Sequence, residues 1–145
     1  MVFWRISRHR DLSGIGGLKA GGRWHFPGQL VVYLSENPAS ALLEVSVHTA
    51  ANDVPPDYTL LRVKGPDIAT ATVTADDLPE DWQAHPDATR EFGTAWLRRN
   101  ERVHLKIPSA IVLQTWNFLF NQLHANASAF RIVGVLTYPF HNRIT

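Results

Sequence analysis

Cysteine is absent from this chain of 145 residues. Its absence excludes a disulfide framework, a thiolate-bound zinc or iron–sulfur site and a cysteine nucleophile. It also fits a reducing cytoplasm, where we expect the protein to act. An excess of one charge is lacking too, because 14 lysines and arginines oppose 13 aspartates and glutamates. At a net charge of +1 no overall field holds a polyanion, so direct binding of nucleic acid is not expected.

Long hydrophobic runs are also missing. No stretch approaches the roughly 20 apolar residues that a membrane-spanning helix needs, and residues 1–10 lack the apolar core of a signal peptide. We therefore expect no contact with a membrane. The chain has the composition of a soluble globular protein, with 45% hydrophobic and 19% charged residues. Its length suits one domain over residues 1–145, since domains usually contain roughly 100 to 200 residues.

Apolar patterning predicts more strands than helices. A helix is expected to begin at Pro38, because Asn37 can cap its first turn, and to run to about Ala51. A second helix is expected over residues 88–99, with two arginines at its C-terminal end. Strands are predicted over residues 2–6, 30–34, 58–64, 67–74, 103–107, 111–113 and 132–138. This mixture predicts a single compact α+β domain, built on a sheet with a few flanking helices.

Glycine is concentrated in one segment, where six of the nine glycines lie between residues 14 and 28. Such spacing allows tight turns and a close approach of the backbone to a ligand. Arg23 follows two of these glycines, and its guanidinium either binds a phosphate or carboxylate group or lies on the surface after a turn. The first 34 residues hold five cations, Arg5 among them, against one acid, which favours an anionic ligand here. The spacing matches neither a dinucleotide-binding glycine motif nor a P-loop.

Glu44 lies at the edge of an apolar helix face. A carboxylate there either reaches outward into solvent or is held where its charge is needed. His48 follows at the same helical spacing, but this pair is a weak metal signal and no stronger histidine motif is present. We therefore expect no metal site.

Three further side chains are candidates for binding. Tyr33 ends an apolar strand and either packs in the core or stacks on a planar heterocycle. Ser109 lacks the glycine setting of an esterase nucleophile and is expected to form hydrogen bonds. Asn117 belongs to a stretch in which amides alternate with aromatic residues, while His124 shortly after it is expected on the surface.

The order of these residues resembles the RES domain, a family named for an arginine, a glutamate and a serine. Those residues are Arg23, Glu44 and Ser109 here. The motifs that carry the resemblance cover nearly the whole chain: Trp4-Arg5, Gly22-Arg23-Trp24, Val32-Tyr33-Leu34-Ser35, Ala41-Leu42-Leu43-Glu44-Val45, Pro108-Ser109-Ala110 and Asn117-Phe118-Leu119-Phe120-Asn121. The sequence departs from the family pattern at residues 121–125, which contain no proline. This difference affects the role expected for His124 more than the resemblance itself.

The resemblance implies a fold like that of the ADP-ribosyltransferases, with a mixed and mainly antiparallel sheet. RES domains are the toxins of RES-Xre toxin–antitoxin pairs and destroy NAD+. The implied reaction cleaves the nicotinamide–ribose bond and arrests growth, with NAD+ as substrate, water or inorganic phosphate as the acceptor, and no prosthetic group. The implied partner is an antitoxin with an Xre-type helix-turn-helix domain, and a homodimer within that complex is a family-level expectation.

The resemblance also implies roles for individual residues. Glu44 would stabilise the ribosyl cation, Arg23 would grip diphosphate or ribose oxygens, and Ser109 would orient a substrate oxygen. Substrate binding would further involve Arg5, Trp24, Tyr33 as a stacking ring, Asn117 and Asn121. Two alternatives remain open: a protein ADP-ribosyltransferase with the same residues, and a non-catalytic module that binds nucleic acid through the basic N-terminal segment.

Overall fold

The computed structural model describes residues 1–47 and 57–137. Seven strands form one sheet: β1 (Val2–Ser7), β2 (Val32–Ser35), β3 (Thr59–Lys64), β4 (Ala71–Thr72), β5 (His104–Pro108), β6 (Trp116–Phe120) and β7 (Arg131–Thr137). Their spatial order is β4-β5-β6-β2-β1-β3-β7. β4 and β5 are parallel, and the other five neighbouring pairs are antiparallel. The prediction of an α+β fold with a mixed, mainly antiparallel sheet is therefore confirmed.

The helices within the described ranges are α1 (Gly16–Lys19), α2 (Pro38–Val47) and α3 (Pro86–Arg99). α2 begins where its sequence predicts, because the side chain of Asn37 accepts a hydrogen bond from the N–H of Ser40 at 2.8 Å. The predicted continuation to Ala51 and the side chain of His48 lie outside the described residues. None of these helices has the length and apolar character that crossing a membrane requires.

Two predicted strands differ from the structure. Only Ala71–Thr72 of the predicted strand 67–74 pairs with a neighbour. The predicted strand 111–113 is wrong, because this segment forms a turn that ends at Gln114, whose φ is +64°. Its apolar residues are exposed at the surface, so hydrophobicity alone misidentified them as a buried strand.

The sheet buries side chains on both faces, since successive residues of a strand point to opposite sides. On one face, aromatic and branched residues cluster around Phe3, Val32 and Phe118. On the other face, Leu119 packs beneath Trp96 of α3. The remaining part of that second face meets α2, which therefore lies directly over β1 and β2.

Candidate active site

A cleft of about 420 Å³ lies where α2, the ends of β2 and β5, and the start of β6 meet the glycine-rich loop, residues 14–28. Its volume is typical of small-molecule sites, which span about 300–1,000 Å³. Six of the eight residues that the sequence analysis singled out line it: Arg5, Arg23, Trp24, Tyr33, Glu44 and Asn117. Ser109 and Asn121 are not among the lining residues. The fold thus gathers cationic, aromatic, amide and carboxylate groups from distant parts of the chain.

Glu44 projects from α2 into the wall of this cleft and is partly buried. Its Oε1 accepts a hydrogen bond from Nδ2 of Asn117 at 2.7 Å and another from Oγ of Ser109 at 3.0 Å. In the described part of the chain, no donor is bonded to Oε2. The carboxylate is therefore held through one oxygen, and the other oxygen is left for a ligand.

Ser109 follows β5 and is only 3% exposed. Its hydroxyl donates to Glu44 and accepts the backbone N–H groups of Ile111 at 3.1 Å and Val112 at 3.3 Å. One proton and two lone pairs are all that a hydroxyl offers, so its hydrogen bonds are complete. Ser109 thus orients the carboxylate from behind and does not itself face the cleft.

Asn117 connects Glu44 to the sheet. It lies on β6 directly opposite Ser35 of β2. The Oδ1 of Asn117 accepts a hydrogen bond from the Ser35 hydroxyl at 3.2 Å. The sequence analysis did not assign a role to Ser35, because the pairing of β2 with β6 joins residues that lie far apart in the chain.

Arg23 lies in the glycine-rich loop, and its guanidinium is only partly used by the protein. Its Nη2 donates to the carbonyl of Gln83 at 2.6 Å, and its carbon lies 6.0 Å from the centre of the Trp82 ring. The Nε is buried and has no hydrogen-bond partner among the described residues. The described part of the protein therefore supplies no acceptor for this N–H.

α3 fixes the backbone around Arg23 with polar side chains. These hydrogen bonds are Thr89 Oγ1 to the Arg23 carbonyl at 2.5 Å, Arg90 Nε to the Gly22 carbonyl at 2.9 Å, and the Phe26 N–H to Thr94 Oγ1 at 3.0 Å. No local sequence pattern indicates these contacts, because they depend on how the helix docks on the loop. They hold the loop rigidly enough to present a guanidinium at a fixed point.

Gly93 permits this close docking. A Cβ built on Gly93 would lie 1.8 Å from the carbonyl oxygen of Trp24, which no real contact allows. The signal was present in the sequence, because a glycine inside a helix costs roughly 1 kcal/mol and therefore indicates a close approach.

Tyr33 is held through its hydroxyl, which accepts the backbone N–H of Trp24 at 3.1 Å and lies 2.6 Å from Nδ1 of His25. The Nε2 of His25 lies 3.1 Å from the carbonyl of Ala20, so Nε2 carries the proton and Nδ1 accepts the proton of the tyrosine hydroxyl. Burial lowers the pKa of His25 and raises the pKa of Tyr33, so the pair is neutral. The hydroxyl is satisfied within the protein, which leaves the ring for the cleft.

Arg5 and Trp24 contribute differently to the wall of the cleft. The Nη1 of Arg5 donates to the carbonyl of Asp11 at 3.3 Å, and burial lowers the pKa of its guanidinium. The indole of Trp24 packs inward against Trp82 and Phe92 and is 2% exposed. Trp24 therefore contributes to the site mainly through its backbone N–H, which holds the Tyr33 hydroxyl, and through the packing of its indole in the core.

Asn121 lies outside the cleft. It is 1% exposed, its Nδ2 donates to Oδ1 of Asn100 at 2.7 Å, and its Oδ1 accepts the N–H of Leu123 at 3.2 Å. These bonds tie together the loops that follow α3 and β6. His124 is near it, with Nδ1 accepting the N–H of Asn126 at 3.0 Å. Neither side chain is brought to Glu44.

The fold has a solved counterpart. A chain in the crystal structure of the M. tuberculosis MbcT-MbcA toxin–antitoxin complex aligns with a TM-score of 0.76 and 19% identity, covering 94% of this chain and 82% of that chain. In the described ranges, no three histidine or acidic side chains come together as a metal-ligand set. The chain therefore has the fold of a protein from a toxin–antitoxin complex.

The family follows from sequence similarity. A family model described as RES domain matches residues 2–141, so the chain belongs to the RES domain family, and the resemblance seen in the sequence is confirmed. Toxin Res from Pseudomonas putida is 42% identical over 135 residues, which cover 91% of this chain and 92% of that protein. Prs ADP-ribosylating toxin from Sphingobium sp. is 34% identical over 153 residues, covering 98% and 95%. The chain is a toxin of the RES type.

Proposed function

We propose that this toxin consumes NAD+ by cleaving its nicotinamide–ribose bond and transferring the ADP-ribosyl group to water or inorganic phosphate. The observation that carries the proposal is the Glu44 carboxylate, held through Oε1 at the wall of a cleft that also contains Arg23. Membership of the RES domain family supports it, as does a relative that is named for ADP-ribosylation, a reaction that takes the ADP-ribosyl group from NAD+.

Cleavage of the nicotinamide–ribose bond requires stabilisation of a positive charge more than it requires proton transfer. The bond from C1′ of the ribose to the pyridinium nitrogen breaks, and its electron pair stays on the nitrogen, which leaves as neutral nicotinamide. An oxygen of the acceptor forms the new bond to C1′ and releases its proton to solvent. Because the leaving group already carries a positive charge, no strong acid is needed. The difficulty lies in the ribosyl cation, which a fixed carboxylate in a desolvated cleft stabilises.

The other side chains of the cleft suit the remaining parts of NAD+. The guanidinium of Arg23 lines the cleft and can bind a diphosphate oxygen, and Arg5 adds a second cation along the same cleft. The ring of Tyr33 offers a flat apolar surface on which nicotinamide can stack. Asn117 and Ser109 hold the carboxylate in place. No other cofactor is required by this scheme.

The test is a time course of NAD+ with the purified chain, with and without inorganic phosphate. Release of nicotinamide with free ADP-ribose indicates hydrolysis, and a 1-phosphorylated ADP-ribose indicates phosphorolysis. Glu44→Gln is the control, since it keeps the shape and removes the charge. If the purified wild type releases no nicotinamide from NAD+ with or without phosphate, transfer to water or phosphate is wrong.

A second candidate differs only in the acceptor. The Sphingobium relative is named for the ADP-ribosylation of Prs, and it aligns with 98% of this chain. A protein acceptor would use the same cleft and the same carboxylate. Mass spectrometry of a cell lysate incubated with NAD+ and the chain separates the two, because only the transferase leaves a protein heavier by one ADP-ribosyl group.

An antitoxin belongs to the proposal. The solved counterpart of this fold comes from a toxin–antitoxin complex, and the family resemblance implies an Xre-type helix-turn-helix partner. Since NAD+ is a cytoplasmic metabolite that every cell needs, the chain should arrest growth when it is expressed alone. Co-expression of the cognate antitoxin should restore growth, and unimpaired growth without it would contradict the toxic role.

A further inference from the structure

We propose that Ser35 and Asn117 are positioning residues that act through Glu44. They hold Oε1 so that Oε2 is presented to the reacting ribose. The inference rests on the proposed function and assigns Asn117 a task other than direct contact with substrate. It also adds Ser35, whose hydroxyl is buried and points along the chain of hydrogen bonds to the carboxylate.

The hydrogen bonds run in one direction. Ser35 donates to Oδ1 of Asn117 at 3.2 Å, and Nδ2 of Asn117 donates to Oε1 of Glu44 at 2.7 Å. If the amide were turned over, its oxygen would face the carboxylate, where two acceptors repel each other. The Ser35 proton on Oδ1 stabilises the orientation in which the N–H meets the charge. Successive hydrogen bonds of this kind also polarise one another.

The two positioning residues lie on the rigid part of the fold. Ser35 and Asn117 are register partners on β2 and β6, in the middle of the seven-stranded sheet. Both are nearly inaccessible, with exposures of 5% and 8%. Glu44 is on α2, whose described portion ends at Val47. The sheet therefore fixes the side chain of Glu44, although Glu44 itself lies on α2. Precise active sites require such support from rigid elements.

This arrangement predicts which kinetic constant changes. Arg23 and Arg5 would bind the diphosphate whether or not the carboxylate is well oriented, so the affinity for NAD+ depends little on Asn117. The orientation of Oε2 matters once positive charge develops on the ribose. Loss of the positioning contacts should therefore lower kcat and leave KM nearly unchanged.

The decisive variant is Asn117→Asp, which keeps the size of the side chain and places a second carboxylate against Glu44. Two carboxylates at this distance cannot both ionise readily, so the acid limb of the pH–activity profile should move up by about one pH unit or more. We expect kcat near neutral pH to fall at least about tenfold, with KM for NAD+ changed less than about threefold.

Ser35→Ala is the second variant and Ser7→Ala its matched control. Ser7 is also a buried serine at the end of a strand, but it bonds the N–H of His9, away from the cleft. Ser35→Ala should lower kcat about three- to tenfold, because the amide of Asn117 loses the hydrogen bond that fixes its orientation. Ser7→Ala should leave kcat and the pH profile unchanged.

The outcomes separate the inference from the proposed function. If the wild type turns over NAD+ but Asn117→Asp keeps its kcat and its acid limb, the positioning role is wrong and the proposed function stands. Equal kcat values for Ser35→Ala and Ser7→Ala would remove Ser35 from the inference, even if Asn117→Asp did not fold. If the wild type neither consumes NAD+ nor modifies a protein, the proposed function itself fails.

Discussion

At the scale of single residues, the protein holds each main side chain of the cleft through only part of its atoms. Glu44 has one bonded oxygen, Arg23 has one bonded nitrogen, and Tyr33 has a satisfied hydroxyl beside a ring that lines the cleft. In each case the protein fixes one part of the side chain and leaves another part for a ligand. Such preorganisation is what electrostatic catalysis requires, because the groups need no reorganisation during the reaction.

The charge of Glu44 should matter more than its shape. Glu44→Gln preserves the volume and removes the negative charge that would stabilise the ribosyl cation. We expect NAD+ consumption to fall about 10²- to 10³-fold, corresponding to about 3–4 kcal/mol of transition-state stabilisation, with little change in the melting temperature. Nicotinamide release followed by chromatography measures the rate. Glu36→Gln, at an exposed glutamate beside the end of β2, is the control, and equal rates for the two variants would exclude a catalytic charge at position 44.

Tyr33 allows its hydroxyl and its ring to be tested separately. Tyr33→Phe leaves the buried N–H of Trp24 without its acceptor, so unfolding should become easier by about 1–3 kcal/mol, while KM for NAD+ changes little. Tyr33→Leu removes the stacking surface and should raise KM in addition. Chemical denaturation and initial rates measure the two effects. Tyr58→Phe is the control for stability, because the ring of Tyr58 lies under the guanidinium of Arg8 and away from Trp24. A large rise in KM for Tyr33→Phe would show that the hydroxyl contacts substrate.

At the scale of elements, a local sequence pattern predicted the start of one helix, whereas hydropathy misassigned one turn as a strand. The start of α2 followed from Asn37 and Pro38, because the cap is formed by neighbouring residues. The strand expected at 111–113 is a turn, because Oγ of Ser109 accepts the N–H groups of Ile111 and Val112 and Gln114 adopts a positive φ. Hydropathy carries no information about either interaction.

In the candidate site, residues of local motifs could be recognised in the sequence, whereas contacts between distant strands could not. Arg23 and Glu44 were recognisable from motifs and do line one cleft, while the contact from Ser35 to Asn117 depends on strand register that no local pattern encodes. Asn121 shares its motif with Asn117, yet it lies at the opposite end of β6, so the strand carries the two amides to different places.

α3 is the element whose docking should be most sensitive to one methyl group. In an open helix position, alanine is about 1 kcal/mol better than glycine. At Gly93 the added Cβ would collide with the backbone of Trp24, so Gly93→Ala should instead destabilise the fold by about 1–3 kcal/mol. It should also lower kcat/KM, because the displaced loop carries Arg23.

Gly16→Ala is the matched control for this prediction, since a Cβ at Gly16, the first residue of α1, meets no atom within 4 Å. It should be neutral or slightly stabilising. Denaturant titration of both variants gives the sign directly. A stabilising effect of Gly93→Ala would mean that α3 docks on the glycine-rich loop less tightly than the structure shows.

At the scale of the whole molecule, the described core contains a polar side chain, His104, that its surroundings do not satisfy. His104 is fully buried, and neither ring nitrogen has a hydrogen-bond partner in the described part of the chain. The rings of Phe3, Phe118 and Phe130 surround it, with centroids at 5.6, 6.4 and 5.7 Å. Burial lowers the pKa of His104, and the charges of Met1 and Arg102 act in the same direction. The imidazole is therefore neutral in the folded protein.

The stability of the fold should decrease in mild acid as a result. His25 and His104 both have a pKa below the usual 6.5 when folded, whereas the unfolded chain takes up protons at about that value. Below about pH 6.5 the unfolded state binds more protons, so the free energy of unfolding falls with falling pH until the folded pKa values are reached. Denaturant titrations between about pH 8 and pH 5 should show this slope.

His104→Leu tests how much of that slope comes from the core. The leucine removes two unsatisfied nitrogens from an aromatic cluster and fills a similar volume, so we expect a higher free energy of unfolding at neutral pH. The slope below about pH 6.5 should become shallower, and the part that remains should belong to His25, whose pKa is lowered by burial. An unchanged slope would mean that the folded state takes up a proton at His104 as readily as the unfolded state does, as it would if a hydrogen-bonding group reached the ring in solution. Because the aromatic cluster lies on the face of the sheet opposite α3, NAD+ turnover near neutral pH should be the same in the variant and the wild type.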